Sequence, residues 1–256
     1  MKRKKAIVIV AFGTAKDAGF NKYLLPFKKD VEEKYGEKFD CFFALTSKKM
    51  LSKLTLDVKS YEDTLEELKM KNYDEVYVET LYFSKGKEYS KVEEVTNKYI
   101  NSFEIIKITK PILEENKNLI DEYFNKYDNI LFICHGVLDS EESLEEEYIK
   151  SAIKEKSKGQ SYVALINKQD DYKNVISNIK DDNIPKVTIV PILITKGYHF
   201  KKDIIAESKE SFLGKLKNED ITVEVVDKSL GENRFFRQVV LESLDKIIEE
   251  VGEPLE

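Results

Sequence analysis

Cysteine and histidine are both scarce in this chain, which carries two of each among 256 residues. Cys41 and Cys134 are too few for a disulfide framework, and no CxxC pair exists for a structural zinc site, so a reducing cytoplasm is the expected compartment. The ten glycines never spell GxGxxG or GxxxxGK[ST], which removes the dinucleotide and nucleotide-phosphate cradles. Neither a GxSxG elbow nor an HExxH zinc helix is present. An excess of positive charge is lacking as well. The net charge of -6 argues against a general nucleic-acid binder, although lysines are plentiful and scattered. No apolar run approaches the ~18 residues of a membrane span, so no membrane partner is expected. The opening MKRKKAIVIVAFGT imitates a signal peptide, but its apolar core ends in Gly13-Thr14 without a small-residue cleavage pattern and reads as a buried strand.

What is present belongs to a soluble globular protein: 41% apolar residues, 35% charged residues and a mean hydropathy of -0.44. The length suits one large domain or two smaller ones.

Short apolar runs alternate with helical patterns throughout. AIVIVAF (6–12), VYVETLYF (76–83), NILFIC (129–134), YVALI (162–166), VTIVPILI (187–194) and ITVEVV (221–226) are nearly continuous, as strands covered on both faces should be. FDCFFAL (39–45) and FEIIKI (103–108) are weaker, and bring the expectation to about eight strands. Helices are expected to start near Ala15, Tyr61, Glu88, Leu113, Ser140, Asp171 and His199, with Pro26 kinking the first or marking its true start. The last helix is the clearest, because Phe236, Val239, Val240, Leu244 and Ile247 form one stripe. Such alternation predicts an α/β protein with parallel sheets flanked by helices.

The chain writes one turn twice. SKGKEY (84–89) and TKGYHF (195–200) each follow a long apolar run and lead into a charged stretch. In each half an earlier strand also ends beside glycine, at Phe12-Gly13-Thr14 and at His135-Gly136-Val137. Gly13 precedes Gly86 by 73 positions, and Gly136 precedes Gly197 by 61. Two similar α/β halves follow, 1–127 and 128–256, with the terminal helix free to pack back on the first.

Ligands of open parallel sheets bind beyond the carboxyl ends of the strands, where His135, His199 and Glu88 all fall. A single histidine after a strand is usually a cap or a packing residue. Both of the chain's histidines at strand ends, with a carboxylate at the matching place, favour a shared metal or proton-transfer site. Two neutral imidazoles and one carboxylate suit a borderline divalent ion such as cobalt, nickel, iron or zinc. Cys134 adjoins His135, but adjacent strand residues point to opposite faces, so it reads as a buried small hydrophobe.

Taken in order, these motifs resemble the anaerobic-type sirohydrochlorin cobaltochelatases of the ferrochelatase-like, class II chelatase superfamily. The likeness runs nearly end to end. It is carried by AFGT (11–14), by Phe43-Ala44-Leu45-Thr46-Ser47, by KGKEYSKV with Glu88, by CHG with His135, by KGYHFKKD with His199, and by LGEN (230–233). This chain departs from that family at Lys87 and Tyr198, where Asp is common, and at Val137-Leu138-Asp139, where further histidines often follow.

The resemblance implies two α/β subdomains with an active-site cleft between them. It also implies a lyase-type chelatase that inserts cobalt(II) into sirohydrochlorin on an oxygen-independent route to cobalamin. The family's metal-site histidines and glutamate fall on His135, His199 and Glu88, as ligands and as the groups that accept pyrrole protons. Thr14, Ser84, Lys85, Thr195 and Lys196 are the expected anchors for the carboxylates of the tetrapyrrole. The metal is then a substrate and no permanent cofactor is required. Insertion of nickel or iron and a non-catalytic carrier of tetrapyrrole or metal are the alternative readings, and a second copy of the chain is a possible partner in a homo-oligomer.

Overall fold

The apolar runs become the strands of two parallel sheets in the computed structural model, which describes residues 3–115, 127–135, 151, 161–166 and 169–252. The chain divides into two compact units, Met1–Asn116 with Gly231–Glu256, and Lys117–Leu230. The terminal helix belongs with the first of these units.

In the first unit, β1 (Lys5–Ala11), β2 (Asp40–Leu45), β3 (Lys59–Ser60), β4 (Glu75–Thr80) and β5 (Ile105–Ile108) lie in the order β3-β2-β1-β4-β5. All four pairings are parallel. Ala6 to Val10 are wholly buried, which explains why β1 reads as an unbroken apolar run rather than an alternating one. Ala6, Val8, Val10, Val76 and Val78 pack with Tyr61, Leu65 and Leu68 of helix Tyr61–Met70 and with Val92 of helix Lys87–Lys98.

Helix α1 (Leu25–Tyr35) and the terminal helix Arg234–Glu249 are tied to each other: Arg237 Nε donates to Asp30 Oδ2 at 2.6 Å, and Tyr35 Oη donates to Asp245 Oδ1 at 2.7 Å. In chain order the longer helices are α1, α2 (Tyr61–Met70), α3 (Lys87–Lys98), α4 (Gln169–Asp181), α5 (Phe212–Asn218) and α6 (Arg234–Glu249). Pro26 lies in the first turn of α1, where its missing N–H costs no helical hydrogen bond, and the coil before it is taken up by a π turn at Phe20–Leu24.

In the second unit, β6 (Ile130–Cys134), β7 (Ser161–Leu165), β8 (Lys186–Ile192) and β9 (Thr222–Val225) lie in the order β7-β6-β8-β9, again all parallel. One face packs Leu131, Ile133, Ala164, Val187 and Ile189 against Val175 and Ile179 of α4 and Phe212 and Leu216 of α5.

The order β7-β6-β8-β9 repeats β2-β1-β4-β5, and the repetition reaches single hydrogen bonds. Thr109 N donates to Val78 O at 2.9 Å beyond the end of β5, and Val226 N donates to Ile189 O at 2.9 Å beyond the end of β9. Val78 and Ile189 are 111 positions apart, as are Glu88 and His199. The two-residue β3 is the strand without a counterpart among the described residues, and it is too short to leave an apolar signature.

The segment after Ser140 lies outside the described residues. The segment at His199 does turn helical where expected but stops early: residues 198 and 199 lead into the five-residue π turn Phe200–Ile204, and the regular helix α5 waits until Ser211, whose side chain accepts from Gly214 N. The reason is local. The turn seats Phe200 and Ile204 in the core, and the next residues, IAESKES, offer no further apolar side chain at helical spacing until Phe212. No helix among the described residues is long and apolar enough to cross a membrane.

Candidate functional site

Each unit builds a group of polar side chains at the carboxyl ends of its strands. In the first unit the chain leaves β1 through Gly13, whose φ of 110° lies in the region that side chains with a Cβ rarely adopt. A Cβ there would also stand 3.0 Å from Leu45 Cδ1. This turn carries Thr14, which is half-buried.

Glu88 lies in the first turn of α3, where a carboxylate is favoured by the helix dipole. Its Oε2 accepts from Thr46 Oγ1 at 3.3 Å, and Lys91 one turn on forms an ion pair with it. Thr46 Oγ1 is 2.7 Å from Tyr82 Oη; with its own proton directed at Glu88, Thr46 must accept from Tyr82. Burial holds the Tyr82 hydroxyl above the ordinary tyrosine value, so it stays a donor. Ser84 is half-buried, and the exposed Lys85 reaches Glu93 at 3.5 Å.

In the second unit His135 directly follows β6. Cys134, the last residue of that strand, is buried like the rest of it, and His135, the first residue beyond the sheet, is exposed. His199 is the cap of the π turn after β8. The two imidazoles meet edge to face, with centroids 4.8 Å apart and planes at 86°. His199 Nδ1 is 2.7 Å from Asp203 Oδ2. Tyr198, which is 65% exposed, sets its ring 5.6 Å from that of His199, and Lys202 Nζ lies 5.2 Å from the Tyr198 centroid.

Thr195 is half-buried on the same turn. Lys196 has a different setting from a free anchor: its side chain is 10% exposed, its Nζ donates to Asp227 O at 3.0 Å and Oδ1 at 2.7 Å, and it lies over the Phe200 ring.

The second unit thus brings together His135 and His199, and the first holds Glu88 with its hydrogen-bond partners. Val137, Leu138 and Asp139 lie outside the described residues. Among the described residues no group of three or more His, Cys, Asp or Glu is gathered closely enough to hold a metal ion. Two imidazoles alone offer two neutral nitrogen donors and leave most of an ion's coordination positions open.

Asp203, Thr46 and Tyr82 escaped the reading of the sequence as site residues. Asp203 had a signal, since it stands four positions after His199, the spacing at which side chains meet on a helical turn.

The family model for cobalt chelatase (CbiK) matches residues 5–249. A sirohydrochlorin cobaltochelatase from Salmonella typhimurium is 20% identical over 261 aligned positions, covering 96% of this chain and 97% of that one. Among solved structures, SirB from Bacillus subtilis with Fe3+ superposes with a TM-score of 0.67 at 16% identity, covering 99% of this chain and all of SirB. The sirohydrochlorin chelatase SirB from Bacillus subtilis subspecies spizizenii in complex with cobalt gives a TM-score of 0.64 at 14% identity, with 96% of each chain covered.

Proposed function

The chain belongs to the cobalt chelatase (CbiK) family, and we propose that it inserts cobalt(II) into sirohydrochlorin, with His135 and His199 as the nitrogen donors that receive the ion. The observation that carries this reading is the meeting of the chain's only two histidines at the carboxyl ends of neighbouring strands β6 and β8. The substrate assignment draws support from the sirohydrochlorin cobaltochelatase that this chain resembles over nearly its whole length.

Insertion exchanges the ion's bound water for the four ring nitrogens and releases two pyrrole protons. A pair of imidazoles can strip part of the hydration shell while leaving sites for the incoming nitrogens. An imidazole that lets go of the metal can take up one of the released protons. Glu88 is the carboxylate we assign to the same reaction, for charge balance on the ion or for proton removal. Its side chain is held in place by the Lys91 ammonium and the Thr46 hydroxyl. For the carboxylates of the macrocycle, Thr14, Ser84, Lys85 and Thr195 are the proposed anchors. Lys196 is assigned there more weakly, because Asp227 already engages it.

The deciding experiment supplies sirohydrochlorin with cobalt(II), nickel(II) or iron(II), singly and in competition, and counts product per protein. Many turnovers with cobalt preferred supports the proposal. Many turnovers with nickel or iron preferred keeps the chelatase and changes its metal. Saturation at one equivalent makes the protein a carrier.

A further inference from the structure

We propose that Asp203 is a positioning residue that holds His199 in the Nδ1–H tautomer, so that Nε2 is the nitrogen offered to the metal or to a pyrrole proton. This deepens the reading above and rests on it for the role of His199. An ionised carboxylate has only lone pairs to offer. At 2.7 Å from Asp203 Oδ2, Nδ1 therefore carries the proton, because two acceptors at that separation repel. The neutral ring then has its remaining lone pair on Nε2 alone. A carboxylate behind a ligating imidazole also raises the ring's donor strength and fixes its orientation.

The π turn makes this arrangement rigid. Phe200 and Ile204, the first and last residues of the turn, are both buried, and Ile205 N donates to Phe200 O at 3.1 Å. The backbone bearing His199 and Asp203 is thus clamped at both ends. Asp203 is itself only 22% exposed, so its carboxylate is not free to swing into solvent.

The internal duplication supplies a control. Shifting Asp203 back by the 111 positions that relate His199 to Glu88 lands on Val92, a fully buried core residue of α3. The copy of the turn that presents an imidazole has a carboxylate one turn on, and the copy that presents a carboxylate has none at that place. Glu88 is held instead by Thr46 and Lys91.

The test starts from the wild-type chain with its imidazoles labelled with nitrogen-15. With only two histidines, a His135→Asn variant identifies the His199 signals outright. At mildly alkaline pH, His199 should show a protonated Nδ1 and an unprotonated Nε2. Asp203→Ala should release the ring to a tautomer mixture and weaken binding of cobalt(II) alone by about 10- to 100-fold. Asp203→Asn retains a carbonyl acceptor, so it should keep the tautomer and lose less affinity. A protonated Nε2 in the wild type overturns the proposal, as does an Asp203→Ala variant whose tautomer and cobalt affinity match the wild type. These readouts do not depend on turnover. If they come out as expected while the wild type inserts no metal into sirohydrochlorin, the positioning role stands and the chelatase reading fails.

Discussion

The rings of His135 and His199 lie 4.8 Å apart, centroid to centroid, and nearly perpendicular. Strands β6 and β8 are hydrogen-bonded neighbours, so the segments that leave their carboxyl ends start side by side. His135 directly follows β6, whereas His199 is brought back to it by the turn that leads from Ile192 into the π turn Phe200–Ile204. Placing both of a chain's histidines there concentrates its neutral nitrogen donors at one point.

Removing either ring should therefore cripple function while leaving the fold. His135→Ala and His199→Ala should each lower the rate of metal insertion by about 100-fold or more, above the effect expected for a residue behind a ligand. Neither ring is buried in the core, so circular dichroism and denaturant midpoints should stay near wild type. A folded variant with wild-type turnover would remove that histidine from the site.

Glu88→Gln keeps the side chain's shape and its capacity to accept from Thr46, and deletes the charge. Insertion should fall by about tenfold or more, with tetrapyrrole binding measured without metal largely retained. Loss of tetrapyrrole binding alone would make Glu88 a substrate anchor. Thr46→Val should give a smaller decrease in the same direction, because Lys91 still pairs with the carboxylate.

Much of this architecture was legible because its strands are buried on both faces. A strand such as β1, with Ala6 to Val10 wholly inaccessible, must be written in apolar residues, and β4, β6, β7 and β8 declare themselves for the same reason. Strand β2 and the edge strand β5 are only partly buried and correspondingly faint, and the two-residue β3 leaves no pattern. The repeated turn was visible as sequence, but its two copies fold differently. After Glu88 the apolar residues Tyr89 and Val92 sustain a regular helix, whereas Phe200 and Ile204 sustain a single π turn. Histidines at strand ends could be found by rarity. Asp203, Thr46 and Tyr82 could not, because an acid in a charged stretch, a threonine after a strand and one of fourteen tyrosines carry no mark until geometry brings them to His199 and Glu88.

The tyrosines predict the alkaline limit of stability. Burial first, then the Asp203 carboxylate, pushes Tyr172 from 10.0 up to about 12. Burial and the hydrogen bond to Glu66 push Tyr99 up to about 12 as well. Tyr61 and Tyr77 are raised in the same sense, chiefly by burial. The folded state thus keeps phenol protons that the unfolded chain gives up above about pH 10. Where the native state binds more protons than the unfolded one, stability falls as pH rises. Stability should be complete below about pH 10 and decline above it toward pH 12. Tyrosinate absorbance for these residues should then appear together with loss of circular dichroism. Their ionisation at the ordinary tyrosine value in an intact fold would contradict the burial described.

The terminal helix returns to the first unit after the chain completes the second. Phe236 of α6 is 1% exposed and meets Phe27 of α1 edge-on, with centroids 6.3 Å apart and planes at 83°. Aromatic burial of this kind is among the larger single contributions to a core, and its deletion leaves a cavity that the neighbours fill only in part. Phe236→Ala should cost about 3–5 kcal/mol. Met70→Ala, at a residue 69% exposed on α2 of the same unit, should stay within about 0.5 kcal/mol of wild type. A chain of two units need not unfold in one step, so the denaturation curve has to be resolved into its transitions before values are assigned. The loss should fall on the transition that includes the first-unit tyrosines Tyr35 and Tyr61. A cost below about 1 kcal/mol, or one confined to the other transition, would mean that α6 is not part of the first unit's core.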